Sequence, residues 1–204
     1  MRETFRGDGV SYRRHSGGHG WRILPDGRIE IEDEGVVRTL GEPKSMRLML
    51  DCYGIAIDEA SCRFGVRKAT IMAMIAIEAG RRDGLYFDEH AERYESHIDQ
   101  WSGGLMQTLE RTANGVEDRF HLYGRRVTRQ DMKCSEMSIM LGVGYLAMLV
   151  ESHSHDPVLL CAAYNAGGVY TTSKNRWNLR TYGDGRIDRF VAWYNDALAV
   201  MGES

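Results

Sequence analysis

No CxxC pair occurs among the four cysteines, Cys52, Cys62, Cys134 and Cys161, which are scattered along the chain. A chain of 204 residues needs no disulfide staples, and the four are expected as reduced thiols in the core. Proline is scarce as well: 3 residues exclude a long polyproline or disordered tract. No apolar run can cross a bilayer, since the longest, Ile139 to Val150, is 12 residues with two glycines, against the roughly 20 that a span needs. Membrane insertion is therefore not expected. The opening Met-Arg-Glu-Thr-Phe-Arg-Gly-Asp carries no apolar segment, and the expectation is synthesis in a cytoplasm without a secretory signal. Lysine is rare, 4 against 22 arginines, and the net charge of −3 argues against a general nucleic-acid binder. Forked arginines suit carboxylates, phosphates or sugar oxygens, a hint of a polar polymer partner. The seven histidines form no HExxH spacing, so no metal and no cofactor is expected.

What is present is an ordinary globular composition, 43% hydrophobic and 27% charged, in a length that suits one domain with an appendage. The first twenty residues, with Gly7, Gly9, Gly17, Gly18 and Gly20 among Arg and His, read as a poorly ordered arm. Trp21 to Ile23, the turn signal Pro25-Asp26-Gly27, the alternating Arg28 to Glu32 and then Val36 to Leu40 read as a β-hairpin or three-strand meander. Residues 1–43 are thus an arm plus a small β-rich appendage, and residues 44–204 a domain of helical pattern. Helices are expected over Ser45 to Ile57, Asp58 to Phe64, Lys68 to Ala79, Glu136 to Val150, Pro157 to Asn165 and Ile187 to Val200. Between Gly80 and Gly103 lies a polar loop rich in acids, including Asp83, Asp88, Glu89, Glu95 and Asp99, and a loop that long in a compact domain usually has a function.

Glu78 closes the apolar run Ile71 to Ile77. Desolvation there disfavours the charged carboxylate and raises its pKa, which suits a general acid near neutral pH. A helix-end glutamate pointing to water is the plainer alternative from position alone. After it follow, in order, Ser102-Gly-Gly-Leu-Met-Gln107, Thr112-Ala113, Gly142-Val-Gly-Tyr145-Leu146, and Ala162-Ala-Tyr164-Asn165-Ala-Gly-Gly168.

Helix-end Glu, Gly-Leu-Met-Gln, Tyr-Leu and Ala-Ala-Tyr-Asn-Ala-Gly in this order resemble the Slt-type lytic transglycosylase domain, of the lysozyme-like superfamily and related to goose-type lysozymes. The resemblance covers Met46 to Val200. It implies a mainly α, lysozyme-like helical domain behind the small β-rich N-terminal appendage. It also implies a catalytic Glu78 acting as acid then base, with Met106, Gln107, Tyr145, Tyr164 and Asn165 at the saccharide cleft. The sequence departs from the family at Ala79, where Ser is usual, and at Ser138, where Asn is frequent. The insertion before Gln107 holds Arg93-Tyr94-Glu95-Ser96-His97, which with the Tyr182-Gly183-Asp184 segment resembles phage-associated members. Glu95 and Trp101 join the candidates for substrate contact on that ground.

The implied reaction is cleavage of the β-1,4 MurNAc–GlcNAc bond of peptidoglycan. A carboxylic acid protonates the leaving oxygen as oxocarbenium character develops. Most glycosidases use a second carboxylate; in this family a group of the sugar itself attacks, and a 1,6-anhydroMurNAc end results. The acid-rich insertion leaves a hydrolytic muramidase open, with Asp88, Glu89, Glu95 or Asp99 holding a water, and a non-catalytic virion or wall-binding protein is the rival of another class. The expected setting is the bacterial cell wall, reached after release as by an endolysin or as part of a virion, by a monomer that binds no nucleic acid.

Two other signals compete. Glu59 to Ile71 has the outline of a DNA-binding helix-turn-helix, but its second helix continues apolar on every face and could not both enter a groove and stay soluble. Trp101, Tyr170, Trp177, Trp193 and Tyr194 are candidates for stacking on sugars, with core packing the alternative, strongest for Trp193 and Tyr194. The segment Thr171 to Arg189 carries five basic residues against two acids, suited to anionic stems or wall polymers, or to a solvated face.

Overall fold

The computed structural model describes residues 2–5, 11–80 and 87–202; Asp83, and Gly7 and Gly9 of the expected arm, lie outside them. Seven helices and seven short strands are found among the described residues, a mainly α fold as expected. None of these helices is long and apolar enough to cross a membrane. By contact the chain divides into two compact units, Met1–Pro43 with His153–Ser204, and Lys44–Ser152.

In the first unit, β1 (Arg2–Phe5), β2 (Ser11–Arg14), β3 (Trp21–Ile23) and β4 (Ile29–Ile31) form an antiparallel sheet in chain order. The hairpin β3–β4 follows its alternation: Trp21, Ile29 and Ile31 are buried, while Arg22 and Glu30 pair on the opposite face at 2.8 Å. Gly27 closes the turn at φ +88°, a conformation that favours glycine. Two expectations are corrected. The stretch read as an arm contributes β1 and β2, because the cations of β2 find carboxylates far along the chain: Arg13 reaches Asp156 at 2.8 Å and Arg14 pairs with Glu32. Val36 to Leu40 is not a strand, because its backbone bonds to side chains of the last helix instead of to a neighbouring strand.

That helix is α7 (Arg186–Gly202). Its fully buried Asn195 accepts from Ile29 N at 2.8 Å and donates to Ile29 O at 2.9 Å and Val37 O at 2.8 Å. Asp196 beside it, also fully buried, takes Arg38 Nε at 2.8 Å and the backbone and hydroxyl of Thr39. α6 (Pro157–Ala166) starts on Asp156, whose carboxylate accepts from Val158 N at 2.9 Å, and stops at Gly167, φ +76°. Asp156 also accepts the Trp21 indole N–H at 3.0 Å, so one buried carboxylate caps the helix and holds the sheet.

In the second unit α1 (Lys44–Phe64) runs unbroken through the point where two helices were expected, and Gly65 ends it at φ +67°. α2 (Lys68–Ala79) buries every residue from Ala69 to Ala76, leaving no polar face for a DNA groove. The acid-rich loop holds β5 (Glu92–Glu95) and β6 (Gln100–Gly103), which pair with each other and, through β6, with β7 (Thr108–Leu109). There follow α3 (Glu110–Phe120), the single turn α4 (Arg129–Met132) and α5 (Ser135–His153). Ala113, Val116, Val127, Met132 and Leu141 form a buried cluster behind the small sheet. The expectation of four core thiols is corrected too: Cys161 is buried, but Cys52 and Cys62 lie on the outer face of α1 and Cys134 in the turn before α5, all exposed.

Candidate active site

Glu78 stands in the last turn of α2, half-buried, shortly after the buried run from Ala69 to Ala76. The helix stops at Gly80, where a Cβ would lie 2.2 Å from the Ala76 carbonyl oxygen. The chain then returns to the same place: Phe87 bridges Gly80, and Asp88 N donates to Ala79 O at 3.1 Å. A second, half-buried acidic residue is thereby set against the neighbour of Glu78.

The turn between β6 and β7 carries the Gly-Leu-Met-Gln motif. Gly104 has φ +70°, and any Cβ there would lie 1.9 Å from Met132 O, so only glycine fits. Gln107 also has a left-handed backbone, φ +45°, without being glycine. Its own side chain holds it so: Nε2 donates to Gly104 O at 2.9 Å and to Ala91 O at 3.0 Å, which uses both amide hydrogens. Met106 N donates to Ser138 Oγ at 3.2 Å. The Met106 side chain is fully buried, packed where a Cβ on Gly142 would come within 2.5 Å of it. Of the two residues of this turn expected at the cleft, Met106 therefore supports the turn from behind, and Gln107 engages the backbone on both sides of it.

Ser102 is the residue that sequence reasoning missed. Buried in β6, its hydroxyl lies 3.3 Å from Gln107 Oε1, 3.4 Å from Arg93 O and 3.5 Å from Glu95 Oε1. One proton serves three acceptors, so Ser102 links Glu95 to Gln107 with a bond it can move. Glu95 is half-buried, with Arg93 Nη1 at 3.7 Å and His97 Nδ1 at 4.0 Å. Ser138, noted only as a departure, supplies the acceptor for the turn. Neither role carries a signal in the sequence, because each depends on a contact between separate elements.

Trp101 in β6 is half-buried opposite Tyr94, ring centroids 5.3 Å apart, with the Arg129 guanidinium 4.7 Å over its ring. Met106, Gln107, Glu95 and Trp101 thus share one sheet and its turn. Tyr145, on α5, packs half-buried against the Ala113 cluster. Tyr164 and Asn165 belong to the other unit, in the last turns of α6; Tyr164 is buried, and Asn165 Oδ1 accepts from Tyr182 N. Trp177 is excluded as a stacking surface: it is 1% exposed, set against Trp21 and donating to Asp188 at 3.2 Å. Tyr194 is core, as expected, and Tyr170 remains 46% exposed.

Among known families, the transglycosylase SLT domain matches residues 55–188. No curated protein matches the chain. Solved structures to which the chain is similar include two lytic transglycosylases. An inactive mutant of Slt from Pseudomonas aeruginosa is 17% identical with a TM-score of 0.46, over 78% of this chain and 28% of that one. The 70 kDa soluble lytic transglycosylase from Escherichia coli is 16% identical with a TM-score of 0.46, over 74% and 21%. The chain spans about a quarter of the length of these proteins.

Proposed function

The chain belongs to the transglycosylase SLT domain family, and from that we propose that it cleaves the β-1,4 MurNAc–GlcNAc bond of peptidoglycan by lytic transglycosylation. The observation that carries this reading is the family match over residues 55–188, with Glu78 inside it at the open end of a buried helix. Glu78 delivers its proton to the leaving oxygen, then takes one from the 6-hydroxyl of the same MurNAc as that oxygen closes on C1, leaving a 1,6-anhydro end. Donating first and accepting second, one carboxyl suffices. Gln107, Glu95 and Trp101 are the sugar contacts proposed within the second unit, and Tyr164 and Asn165 are proposed on the family resemblance alone. The active domain is the 44–204 segment, acting as a monomer without cofactor on the cell wall. The Arg93-to-His97 insertion supports a phage-associated enzyme, released as an endolysin or carried in a virion.

A hydrolytic outcome is the second reading, motivated by one contact: Asp88 N donates to Ala79 O at 3.1 Å, next to Glu78 in the chain, and in this reading the Asp88 carboxylate holds the attacking water. Mass spectrometry of digested muropeptides decides. Products lighter by one water and lacking a reducing end are expected; reducing MurNAc ends establish the lysozyme reading, and reducing GlcNAc ends overturn both. Glu78→Gln is expected to abolish release of soluble fragments from sacculi with an unchanged melting temperature. A Glu78→Gln protein that still digests walls refutes the assignment.

A further inference from the structure

We propose that the Arg180 guanidinium, mounted on Tyr170, is a docking point for a carboxylate of the polymer substrate, a proposal that rests on the peptidoglycan reading above. Residues 170–180 form a closed loop: Thr171 bridges Leu179, Thr172 N donates to Asn178 O at 3.0 Å, and Arg180 N donates to Tyr170 O at 2.8 Å. Trp177, buried within it, anchors the loop. The Tyr170 ring folds back over Gly168, where a Cβ would lie 3.0 Å from ring atoms. On that ring rests Arg180, its Cζ 4.3 Å from the centroid.

The other arginines of this basic segment are occupied. Arg176 pairs with Glu34 and Asp188, Arg189 donates to Asp184 O at 2.9 Å, and Arg186 is buried. Arg180 is exposed and faces no carboxylate among the described residues. Stacking restrains its long side chain yet uses none of its N–H donors, so a forked pair with a carboxylate forms with little further loss of rotamer freedom. Two residues on, Tyr182 N is held by Asn165, which joins this platform to the Tyr-Asn motif of α6. Glycan sugars offer hydroxyls. The carboxylates of this polymer sit on its peptide stems, or on the lactyl ether of MurNAc where the stem has been removed, because an attached stem holds that carboxyl as an amide; either carboxylate is a fit ligand for the Arg180 guanidinium.

The test compares wild type with Arg180→Gln on two soluble substrates: strands bearing stems, and strands stripped by an amidase, which carry a free lactyl carboxylate in place of the stem. KM is expected to rise about tenfold in the variant, with kcat nearly unchanged, as for loss of one charge-assisted pair. The wild-type KM is expected to climb with salt and that of the variant not to. A defect on stemmed strands alone assigns the stem carboxylates; a defect on stripped strands alone assigns the lactyl carboxylate, which only those strands carry free, and a defect on both shows that the guanidinium takes either. Equal KM values for the two proteins on both substrates overturn the proposal. Should the wild type cut neither strand, the function reading fails and co-sedimentation with intact sacculi judges Arg180 by itself. Weaker, salt-insensitive retention of Arg180→Gln upholds the docking point, and equal retention overturns it.

Discussion

If Gln107 acts by holding its own turn, its replacement must cost stability before it costs catalysis. Its amide makes two donated bonds, of 2.9 and 3.0 Å, and accepts one from Ser102 at 3.3 Å. At about 1 kcal/mol net for each donated bond, and a similar cost for carbonyls left without a partner, removing the amide costs about 2–3 kcal/mol. Gln107→Gly returns part of this, about 1 kcal/mol, because the left-handed φ of +45° is strained for glutamine and free for glycine. Gln107→Glu returns nothing. It keeps the length of the side chain, loses both donors, and sets a negative charge against the carbonyls of Ala91 and Gly104, so its cost is about 3–4 kcal/mol. For a chain of this size each kcal/mol moves the melting temperature by about 2–4 °C. Calorimetry is therefore expected to rank wild type above Gln107→Gly, and Gln107→Glu lowest, roughly 6–15 °C below wild type. Fragment release from sacculi is expected to fall through kcat, since a slackened turn misplaces the sheet that carries Glu95 and Trp101. Were Gln107 solely a sugar ligand, both variants would melt with wild type and differ only in KM. That pattern refutes the clasp.

Two further outcomes follow from buried groups elsewhere. Asn195→Ala is expected to cost about 3–5 kcal/mol, read as a lower urea midpoint at unchanged slope, because it leaves Ile29 N, Ile29 O and Val37 O without partners and opens a void in α7. Asn195→Asp, which preserves the volume but faces two carbonyls with a charge, is expected to fare no better. Burial, and then Cys134 and Glu117 nearby, push the Tyr123 hydroxyl up to about 12. With the folded value above the unfolded one of roughly 10, this tyrosine contributes stability that is whole below pH 10 and lost as pH climbs toward 12. The urea midpoint of Tyr123→Phe is accordingly expected to fall less steeply over that window than that of wild type, and parallel curves defeat the assignment.

Where apolar periodicity and helix punctuation coincide, the elements were legible from residues alone. Asp156-Pro157 starts α6 and Gly167 stops it; α2 and α5 follow their apolar runs. Elements without such a pattern were not legible. β2 and β5 are rich in charged residues, and their pairing is set by backbone register and by ions reached over long stretches of sequence, as Arg13 reaches Asp156. α3 went unread although Ala113 and Val116 seat it in the core, because its remaining surface is polar. Val36 to Leu40 has strand-like composition, yet Asn195 and Asp196 take its polar backbone groups, and no local pattern announces that competition.

The candidate site divides along the same line. Glu78, the Gly-Leu-Met-Gln turn and the Tyr-Asn pair could be placed from motif order, but what each side chain does depends on partners from other elements. The turn illustrates why. Gly142 on α5 leaves room for the Met106 side chain, Ser138 one turn earlier accepts the Met106 N–H, Met132 O leaves no space for a Cβ on Gly104, and Gln107 closes the turn on itself. Four constraints from two helices and one loop thus fix a single backbone path. Helix α5 therefore acts as a template against which the motif is moulded, and the Gly-Leu-Met-Gln and Gly-Val-Gly segments form one packing unit rather than two separate signatures. It follows that Ser138 matters to the turn for one group, an oxygen that accepts a backbone N–H.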